Sequence, residues 1–396
     1  MEKKTIVTMP GDGIGRTVLE EAIRVLDAAG FQANYAEGDI GWDYWIKEGN
    51  PLPTRTLKLL EEHKVGLFGA ITSKPKDEAA NELSHSLKGK GLIYSSPIVS
   101  LRQFFNLDIC IRPCKTYKGN PLNFIRRGVG NIIEEPGVDV VIFRQNTEGL
   151  YSGVEWTNPP DLVYQGLRSH PRFVQNFGHI PKEELSVSTR IFSRKATERI
   201  LRASFIHARK NGYKSVTVCE KPNVIRETSG MMYKLAQEMQ KADFPEIELW
   251  NTNIDAQMMW LTKNPEDYGV IVAGNMFGDI VSDGFAGLIG GLGFACSANL
   301  GKDVSVFEPT HGSAPKYANY PVSIVNPIAM IASACMMLDH LGDLEISSRI
   351  STAIANVIAE GKVKTYDMMK MTGHPDVLKN GAASTRQMAD AIIAKL

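Results

Sequence analysis

The alternation of short β-branched runs with segments of helical period is the feature that most restricts the fold of this 396-residue chain. Between the apolar runs lie segments such as Ile14–Ala28 and Arg190–Arg209, whose apolar residues recur on one helical face. This pattern predicts an α/β fold with a mostly parallel sheet. The runs that we interpret as buried strands are residues 5–8, 65–71, 138–143, 215–219, 270–273 and 304–307.

Length and charge restrict the organisation and the partners. A chain of this length suits about two domains. Its 44 basic and 44 acidic residues give a formal net charge of zero, so no electrostatic footprint points to nucleic acid or to an anionic membrane. We find no secretory leader, no run of 18 apolar residues and no C-x-x-C pair among five cysteines. These observations predict a soluble, cytoplasmic protein with reduced thiols.

Two kinds of segment leave alternatives open. Residues 156–181 carry four prolines without a helical period, which indicates a functional loop or an arm that pairs with a partner chain. The run Gly11-Asp-Gly-Ile-Gly15 is either half of a dinucleotide fingerprint or a tight strand-to-helix turn. The glycines of 287–293 either approach a phosphate or let a helix and a strand pack closely.

Three arginines suggest a carboxylate site. Arg102 and Arg112 flank the strand-like run LDICI, and Arg144 follows the apolar run VVIF. Guanidinium binds carboxylates through two hydrogen bonds, although a single arginine more often forms a surface ion pair.

Two aspartates suggest a metal site. Asp279 and Asp283 are four residues apart, so they share one helix face and repel each other. Nothing cationic lies between them in the sequence. A divalent cation with oxygen ligands, Mg²⁺ or Mn²⁺, is therefore a plausible neutraliser.

Two further motifs carry polar groups at strand ends. Lys221 directly follows the run SVTVCE, where the end of a strand can present it to a cleft. The segment FEPTHGSAPKYA contains a Gly- and Pro-rich turn that projects His311, Lys316 and Tyr317, groups suited to a nucleotide.

Several of these segments together resemble the metal-dependent β-decarboxylating dehydrogenases, the isocitrate/isopropylmalate dehydrogenase family. The resemblance runs from GDGIG to the C-terminus and rests on LRQFFNLDICIRP, FRQNTEGLYSGVEW, NMFGDIVSD and EPTHGSAPKYA. It implies a large nucleotide-binding domain from residues 1–107 and 290–396. It also implies a small substrate, metal and dimerisation domain from 108–148 and 194–289, and a clasp at 149–193 that joins two subunits.

The resemblance also assigns roles within a homodimer that shares its active sites. By similarity, Tyr151 and Lys221 are the catalytic pair, and Lys221 reaches the site of the partner chain. Asp279 and Asp283 bind Mg²⁺ or Mn²⁺ together with Asp255 of the second subunit. The residues that match the binding of a small polycarboxylate substrate are Ser96, Arg102, Arg112 and Arg144.

The cofactor positions resemble those of bacterial NADP-dependent isocitrate dehydrogenases. NAD-dependent members carry an acidic residue where this chain has Lys316-Tyr317, and an acid would repel the 2′-phosphate of NADP. We therefore expect NADP rather than NAD. The cofactor-binding residues implied by similarity are His311, Gly312, Lys316, Tyr317, Asn326, Tyr366 and Lys370.

The substrate is expected to be isocitrate, oxidised and decarboxylated to 2-oxoglutarate. Ser96 fits the isocitrate pattern, whereas Ile98 stands where asparagine is typical and resembles the homoisocitrate branch. Homoisocitrate or a related 2-hydroxy diacid such as 3-isopropylmalate, with NAD as the acceptor, is the alternative. A catalytically inactive regulatory subunit is a second hypothesis, but such a subunit should have lost some of the catalytic and metal-binding side chains named above, and this chain keeps them all.

Overall fold

The protein is described by a computed structural model that covers residues 3–396. The predicted α/β fold is confirmed. Within these residues the strands are β1 Lys4–Gly11, β2 Ala33–Glu37, β3 Val65–Ala70, β4 Ile109–Lys115, β5 Arg126–Arg127, β6 Ile133–Glu134, β7 Asp139–Gln145, β8 Glu155–Thr157, β9 Ser186–Ser188, β10 Ser215–Glu220, β11 Glu248–Asn253, β12 Val270–Ala273, β13 Cys296–Leu300 and β14 Ser305–Pro309.

The helices alternate with these strands and include the two predicted from periodicity, with the second beginning four residues later than its periodic segment. They are α1 Gly15–Ala28, α2 Trp42–Glu48, α3 Thr54–His63, α4 Lys76–Glu82, α5 Pro97–Phe104, α6 Asp161–Arg168, α7 Pro171–Phe177, α8 Arg194–Asn211, α9 Thr228–Asp243, α10 Ile254–Lys263, α11 Asn275–Leu288, α12 Pro315–Ala318, α13 Ile328–Leu341, α14 Leu344–Glu360 and α15 Thr385–Ile393.

One ten-stranded sheet forms the centre of the molecule, in the order β11-β10-β12-β7-β4-β13-β14-β3-β1-β2. All six runs predicted as strands lie in it. Its two flanks are parallel, and only the central pairs β7–β4, β4–β13 and β13–β14 are antiparallel. Helices α1, α13, α14 and α15 pack together beside β13 and β14, and α8 and α9 pack beside β7, β10 and β12. The sheet runs through both predicted domains, whose boundaries stay a prediction.

The proline-rich segment differs from its prediction. Residues 156–181 are not a loop without helices, because they contain α6 and α7. Pro160 lies just before α6 and Pro171 is the first residue of α7, positions where the fixed φ of proline favours helix initiation. Strands β8 and β9 pair antiparallel on either side of these helices. Neither helix buries a residue within this chain.

The first glycine cluster forms a tight strand-to-helix turn. Gly11 and Gly13 have φ values of +68° and +57°, and a Cβ at either position would meet the carbonyl oxygen of Ala70 or Ser313. Between them, the Asp12 carboxylate accepts hydrogen bonds from the backbone N–H groups of Trp42 (2.7 Å) and Thr72 (2.8 Å). The turn therefore ties three segments together at one end of the sheet.

The second glycine cluster spans the end of α11 and the turn after it, and one of its glycines is closely packed. Gly290 has a φ of +122°, and a Cβ there would meet Phe294 and the Asn120 amide. No helix within residues 3–396 is both long and apolar enough to cross a bilayer.

Candidate active site

Two of the predicted arginines are brought together by neighbouring strands. Arg112 lies on β4 and Arg144 on β7, and in the antiparallel register Cys110 pairs with Arg144 while Arg112 pairs with Ile142. Both guanidinium groups are buried and both reach α11, which packs against β4 and β7. The sequence did not reveal that the two side chains are close, because only the pairing of β4 with β7 places them over one helix.

The arginines contact the predicted metal ligands directly. Arg112 Nη1 donates to Ser282 Oγ (2.7 Å), and it lies 3.2 Å from Asp279 Oδ1 and 3.3 Å from Asp283 Oδ1. Arg144 pairs with Asp279 through Nη1, and its Nε donates to Asn275 Oδ1 at 2.9 Å. These six side chains form one network, which we call the arginine–aspartate cluster.

This network corrects one step of the sequence argument. Asp279 and Asp283 do share a face of α11, but arginines from two strands already neutralise part of their charge. Repulsion between the two carboxylates therefore does not by itself require a metal ion. Burial and the negative charge of Asp279 raise the pKa of Asp283, while the charge of Arg112 opposes that rise.

The third arginine borders a small cavity. Arg102 on α5 is buried and donates to Glu308 Oε1 at 2.7 Å. It lines a cavity of about 170 Å³ together with Arg112, Ile98, Thr310 and other residues of β3 and the loop after β14. The Nε atoms of Arg102 and Arg112 are buried without a partner among residues 3–396. The cavity thus has two guanidinium groups with unused donors.

His311 adds a buried polar atom to the same cavity. Its Nδ1 lies 3.0 Å from the carbonyl oxygen of Gly312, and in the described part of the chain its Nε2 is buried with no hydrogen-bond partner. Burial lowers the pKa of His311, so the ring is neutral at pH 7. Ser96, in contrast, precedes the first residue of α5 and does not line this cavity.

Tyr151 lies at the edge of the arginine–aspartate cluster. It is in a short turn after β7, 43% exposed, with the Arg144 guanidinium 5.8 Å from its ring centroid. Partial burial and the negative charge of Asp279 raise its pKa. The phenol therefore stays protonated at neutral pH, next to the carboxylates.

Lys221 and Asp255 lie apart from this cluster. Lys221 directly follows β10, and Asp255 is in the first turn of α10, after the edge strand β11. The two side chains form an ion pair, and this hydrogen bond lowers the pKa of Asp255. Strand β10 is three positions from β4, on the order of 14 Å across the sheet. Among residues 3–396, no ion pair joins Lys221 or Asp255 to the cluster.

The donor chemistry at α11 suits a divalent cation. Asp279 and Asp283 offer carboxylate oxygens one helical turn apart, and their side chains are 32% and 57% exposed. Hard oxygen ligands with room for water are what Mg²⁺ and Mn²⁺ prefer. Residues 3–396 contain no group of three His, Cys, Asp or Glu placed to hold a metal ion. One chain therefore supplies two acidic ligands, and a complete site needs more.

Three of the residues predicted to bind the cofactor lie together, and two others, His311 and Gly312, line the cavity. The rings of Tyr317 and Tyr366 are 5.6 Å apart between centroids, and Lys316 Nζ is 5.4 Å from the Tyr317 centroid. The Lys370 side chain is exposed.

Asn326 differs from the other residues predicted to bind the cofactor. It is buried, donates to Asp367 Oδ2 at 3.1 Å and accepts from the Ile328 backbone N–H at 3.0 Å. These hydrogen bonds hold the loop before α13 in place.

Sequence reasoning missed the residues that hold the arginines in place. Glu308, Asn275 and Ser282 are all buried, and each contacts one of the three arginines. All three lie inside motifs that the sequence analysis singled out. A polar residue within a mostly apolar strand or helix was the available signal, because such a group is buried only when it has a partner.

Comparison with known proteins identifies a family for this chain. A family model described as isocitrate/isopropylmalate dehydrogenase matches residues 5–392. The chain is 38% identical over 390 residues to protein DlpA of Legionella pneumophila, covering 98% of this chain but 58% of that protein. It therefore spans little more than half the length of that relative.

Two other relatives are similar over nearly their whole length. One is a 3-isopropylmalate dehydrogenase of Archaeoglobus fulgidus, 36% identical and covering 92% of this chain and 94% of the relative. The other is a homoisocitrate dehydrogenase of Methanocaldococcus jannaschii, 34% identical and covering 98% and 96%. Among solved structures, isocitrate dehydrogenase from Methylococcus capsulatus has a TM-score of 0.80 with 33% identity, covering 99% of both chains.

Proposed function

The chain belongs to the isocitrate/isopropylmalate dehydrogenase family, and from this premise we propose that it oxidises isocitrate to 2-oxoglutarate and CO₂ with NADP⁺. The observation that carries this proposal is that two buried arginines, Arg102 and Arg112, line one cavity, while Arg112 and a third buried arginine, Arg144, contact the aspartates of α11. Three guanidinium groups match a substrate with several carboxylates.

The arginines would bind and orient the substrate. Arg102 and Arg112 each have a buried Nε–H without a partner, and a carboxylate in the cavity would accept from these donors. Burial and the positive charge of Arg112 lower the pKa of Arg144 to about 10, so this group too is cationic at neutral pH. The buried position of all three excludes water, which strengthens each contact.

Asp279 and Asp283, together with the partner subunit's Asp255, would hold Mg²⁺ or Mn²⁺. When bound, such an ion acts as a Lewis acid that favours loss of the hydroxyl proton and stabilises negative charge on the same oxygen. This assignment leaves Asp255 free to serve another chain, which agrees with its 68% exposed side chain and with the absence of an ion pair to the cluster among residues 3–396.

Tyr151 and Lys221 would move the protons. As hydride leaves C2 of the substrate for the nicotinamide, a base must accept the proton of the substrate hydroxyl. We assign this role to Lys221 of the partner subunit. After CO₂ departs, the carbon that carried it needs a proton. Tyr151 suits this step because its pKa is raised and its phenol is protonated beside the substrate arginine Arg144.

NADP is the proposed hydride acceptor. Lys316, Lys370 and the hydroxyl groups of Tyr317 and Tyr366 would surround the 2′-phosphate, while His311 and Gly312 lie toward the cavity. Cations and phenols are suitable partners for a phosphate. Positions 316 and 317 of this chain carry lysine and tyrosine and not an acidic residue.

A homodimer with shared active sites completes the proposal. The segment 149–193, the predicted clasp, leaves Leu162 83% exposed and Val174 and Phe177 nearly half exposed. Apolar side chains on two short helices with no buried residue of their own are suited to packing against a second copy.

Homoisocitrate is the second candidate substrate, and one observation favours it. Ile98, and not a polar residue, lines the cavity next to Arg102. An apolar wall suits the additional methylene of the longer substrate.

A steady-state panel tests the proposed function. Isocitrate, homoisocitrate, 3-isopropylmalate and malate should each be assayed with NADP⁺ and NAD⁺ in the presence of Mg²⁺. The proposal expects the highest kcat/KM for isocitrate with NADP⁺. A higher kcat/KM for homoisocitrate would transfer the assignment to the second candidate, and a preference for NAD⁺ would refute the cofactor assignment.

A further inference from the structure

Glu220 is a fully buried carboxylate at the end of β10, directly before Lys221. The reaction as proposed above does not use it. A buried charge is costly unless it is paired and hydrogen-bonded, so the partners of this carboxylate show what it holds in place.

Its two oxygens accept three hydrogen bonds from three different segments. Oε1 accepts from the Gly274 backbone N–H at 2.7 Å, and Oε2 accepts from Arg190 Nη2 at 2.7 Å and from Ser229 Oγ at 2.5 Å. Arg190 in turn donates to Thr228 Oγ1 and to Ser229 Oγ, each at 2.9 Å. Glu220 therefore connects the end of β10 to the start of α9, the start of α11 and the segment before α8.

The junction is closely packed around this carboxylate. A Cβ on Gly274 would lie 2.6 Å from Glu220 Oε1 and 2.6 Å from the Phe192 ring, so only glycine fits there. The Arg190 guanidinium lies 4.6 Å from the Phe192 ring centroid and 5.0 Å from that of Phe277. Two aromatic faces and an ion pair thus fix Arg190 in one orientation.

We propose that Glu220, held by Arg190, is a positioning residue for Lys221. The inference rests on the proposed function, in which Lys221 handles a proton in the partner's site. The Lys221 backbone N–H lies 3.4 Å from Ser229 Oγ, the hydroxyl that donates to Glu220. Glu220 thereby sets the direction in which the chain leaves β10 and presents the Lys221 side chain.

The substrate half of the site is also held by contacts outside this junction. Asn275, the first residue of α11, accepts a hydrogen bond from Arg144 Nε and donates one to the Glu148 carbonyl oxygen at 3.1 Å. Arg112 donates to Ser282 in the middle of α11. Loss of the Glu220 charge should therefore displace Lys221 while the arginines keep their places.

The test is the variant Glu220→Gln, with Glu220→Asp as its conservative partner. We expect kcat to fall about 10- to 100-fold for Gln, because small displacements of a reacting group carry penalties of this order. KM for the substrate should stay within about 2-fold, since the substrate contacts remain. Glu220→Asp keeps the negative charge on a shorter side chain, so its kcat should lie between those of Glu220→Gln and wild type.

Asp108→Asn is the matched control. Asp108 is also a buried acid paired with an arginine near α8, Arg199, at 3.1 Å, but it has no link to Lys221. All variants should be assayed well below their own Tm, with folded sites counted by substrate-binding stoichiometry. If Glu220→Gln keeps wild-type kcat, or loses no more kcat than Asp108→Asn at a similar fall in Tm, Glu220 is only structural.

The two proposals fail in different ways. The variants are compared with wild type on whichever substrate of the steady-state panel wild type turns over. If wild type is active and Glu220→Gln has the same kcat, only the positioning role is overturned. Wild type that turns over none of the panel overturns the proposed function and, with it, the role of Glu220.

Discussion

The arginine–aspartate cluster and the Lys221–Asp255 pair differ in how complete they are within one chain. In the cluster, two arginines from β4 and β7 bond to two polar residues of α11, and all four side chains are buried. Arg112 also lines the cavity and has an Nε donor without a partner among residues 3–396. The Lys221–Asp255 pair lies toward the sheet edge, with the Asp255 side chain 68% exposed and bonded only to Lys221 among the ion pairs of residues 3–396.

This difference suggests two half-sites. Under the proposed function, the cluster binds the small polycarboxylate together with Arg102, whereas the pair supplies a base and a metal ligand. The exposed pair would act on the cluster of a second copy. The following predictions test that division, from the largest expected effect to the smallest.

Lys221→Met should abolish turnover and leave substrate binding intact. Removing a general base lowers kcat by about 10²- to 10⁴-fold, while Arg102, Arg112 and Arg144 still bind the substrate. Steady-state kinetics and titration calorimetry with isocitrate measure the two quantities. Lys214→Met, an exposed lysine before β10, is the matched control and should behave as wild type. Equal losses of binding and turnover in Lys221→Met would place Lys221 in the substrate half.

Arg144→Lys should show the opposite pattern. Lysine keeps the charge but cannot bond both Asn275 and Asp279 as the guanidinium does. KM for the substrate should rise about 10- to 100-fold, with a smaller change in kcat. Arg194→Lys, an exposed arginine of α8, controls for the substitution itself. A kcat defect with normal KM would contradict the binding role of Arg144.

Asp283→Asn and Asp255→Asn should raise the Mg²⁺ concentration needed for half-maximal activity by similar factors, about 10- to 100-fold. Residues 3–396 of one chain bring no three such ligands together at one point, so a shared effect is expected only where a second copy supplies Asp255. Asp267→Asn, in the short 3₁₀ turn after α10, should leave the Mg²⁺ requirement unchanged. If only Asp283→Asn responds, Asp255 does not serve the metal site.

Lys370→Ala should produce the smallest effect, because its side chain is exposed and ion pairs with exposed groups are weak. KM for NADP⁺ should rise about 5-fold and that for NAD⁺ should not change. Lys379→Ala is a nearby exposed control. An equal rise for both cofactors would show that Lys370 does not interact with the 2′-phosphate.

The fold was predictable from the sequence because its signals are local. Strands such as β10 and β12 are short buried runs rich in β-branched residues, and the helical face of α1 repeats with the expected period. The helices of the proline-rich segment were missed for an equally local reason. Residues 156–181 show no helical period in the sequence, whereas Pro160 and Pro171 stand where helices begin.

The site was only partly predictable, since its contacts are not local. The spacing of Asp279 and Asp283 indicated a shared helix face, but no spacing revealed that Arg112 of β4 would reach both. The role of Glu220 in joining several segments could not be predicted, because its hydrogen-bond partners lie 9 to 54 residues away along the chain. Pairings of this kind depend on strand order, which periodicity does not determine.

The central claim is that each active site combines the arginine–aspartate cluster of one chain with the Lys221–Asp255 pair of another. The most direct test is a heterodimer purified through two different tags, with Lys221→Met in one chain and Arg144→Ala in the other. Each homodimeric variant should be nearly inactive. The heterodimer has one site that carries both defects and one that is intact, so we predict about half of the wild-type kcat. A heterodimer as inactive as its parents would contradict the claim.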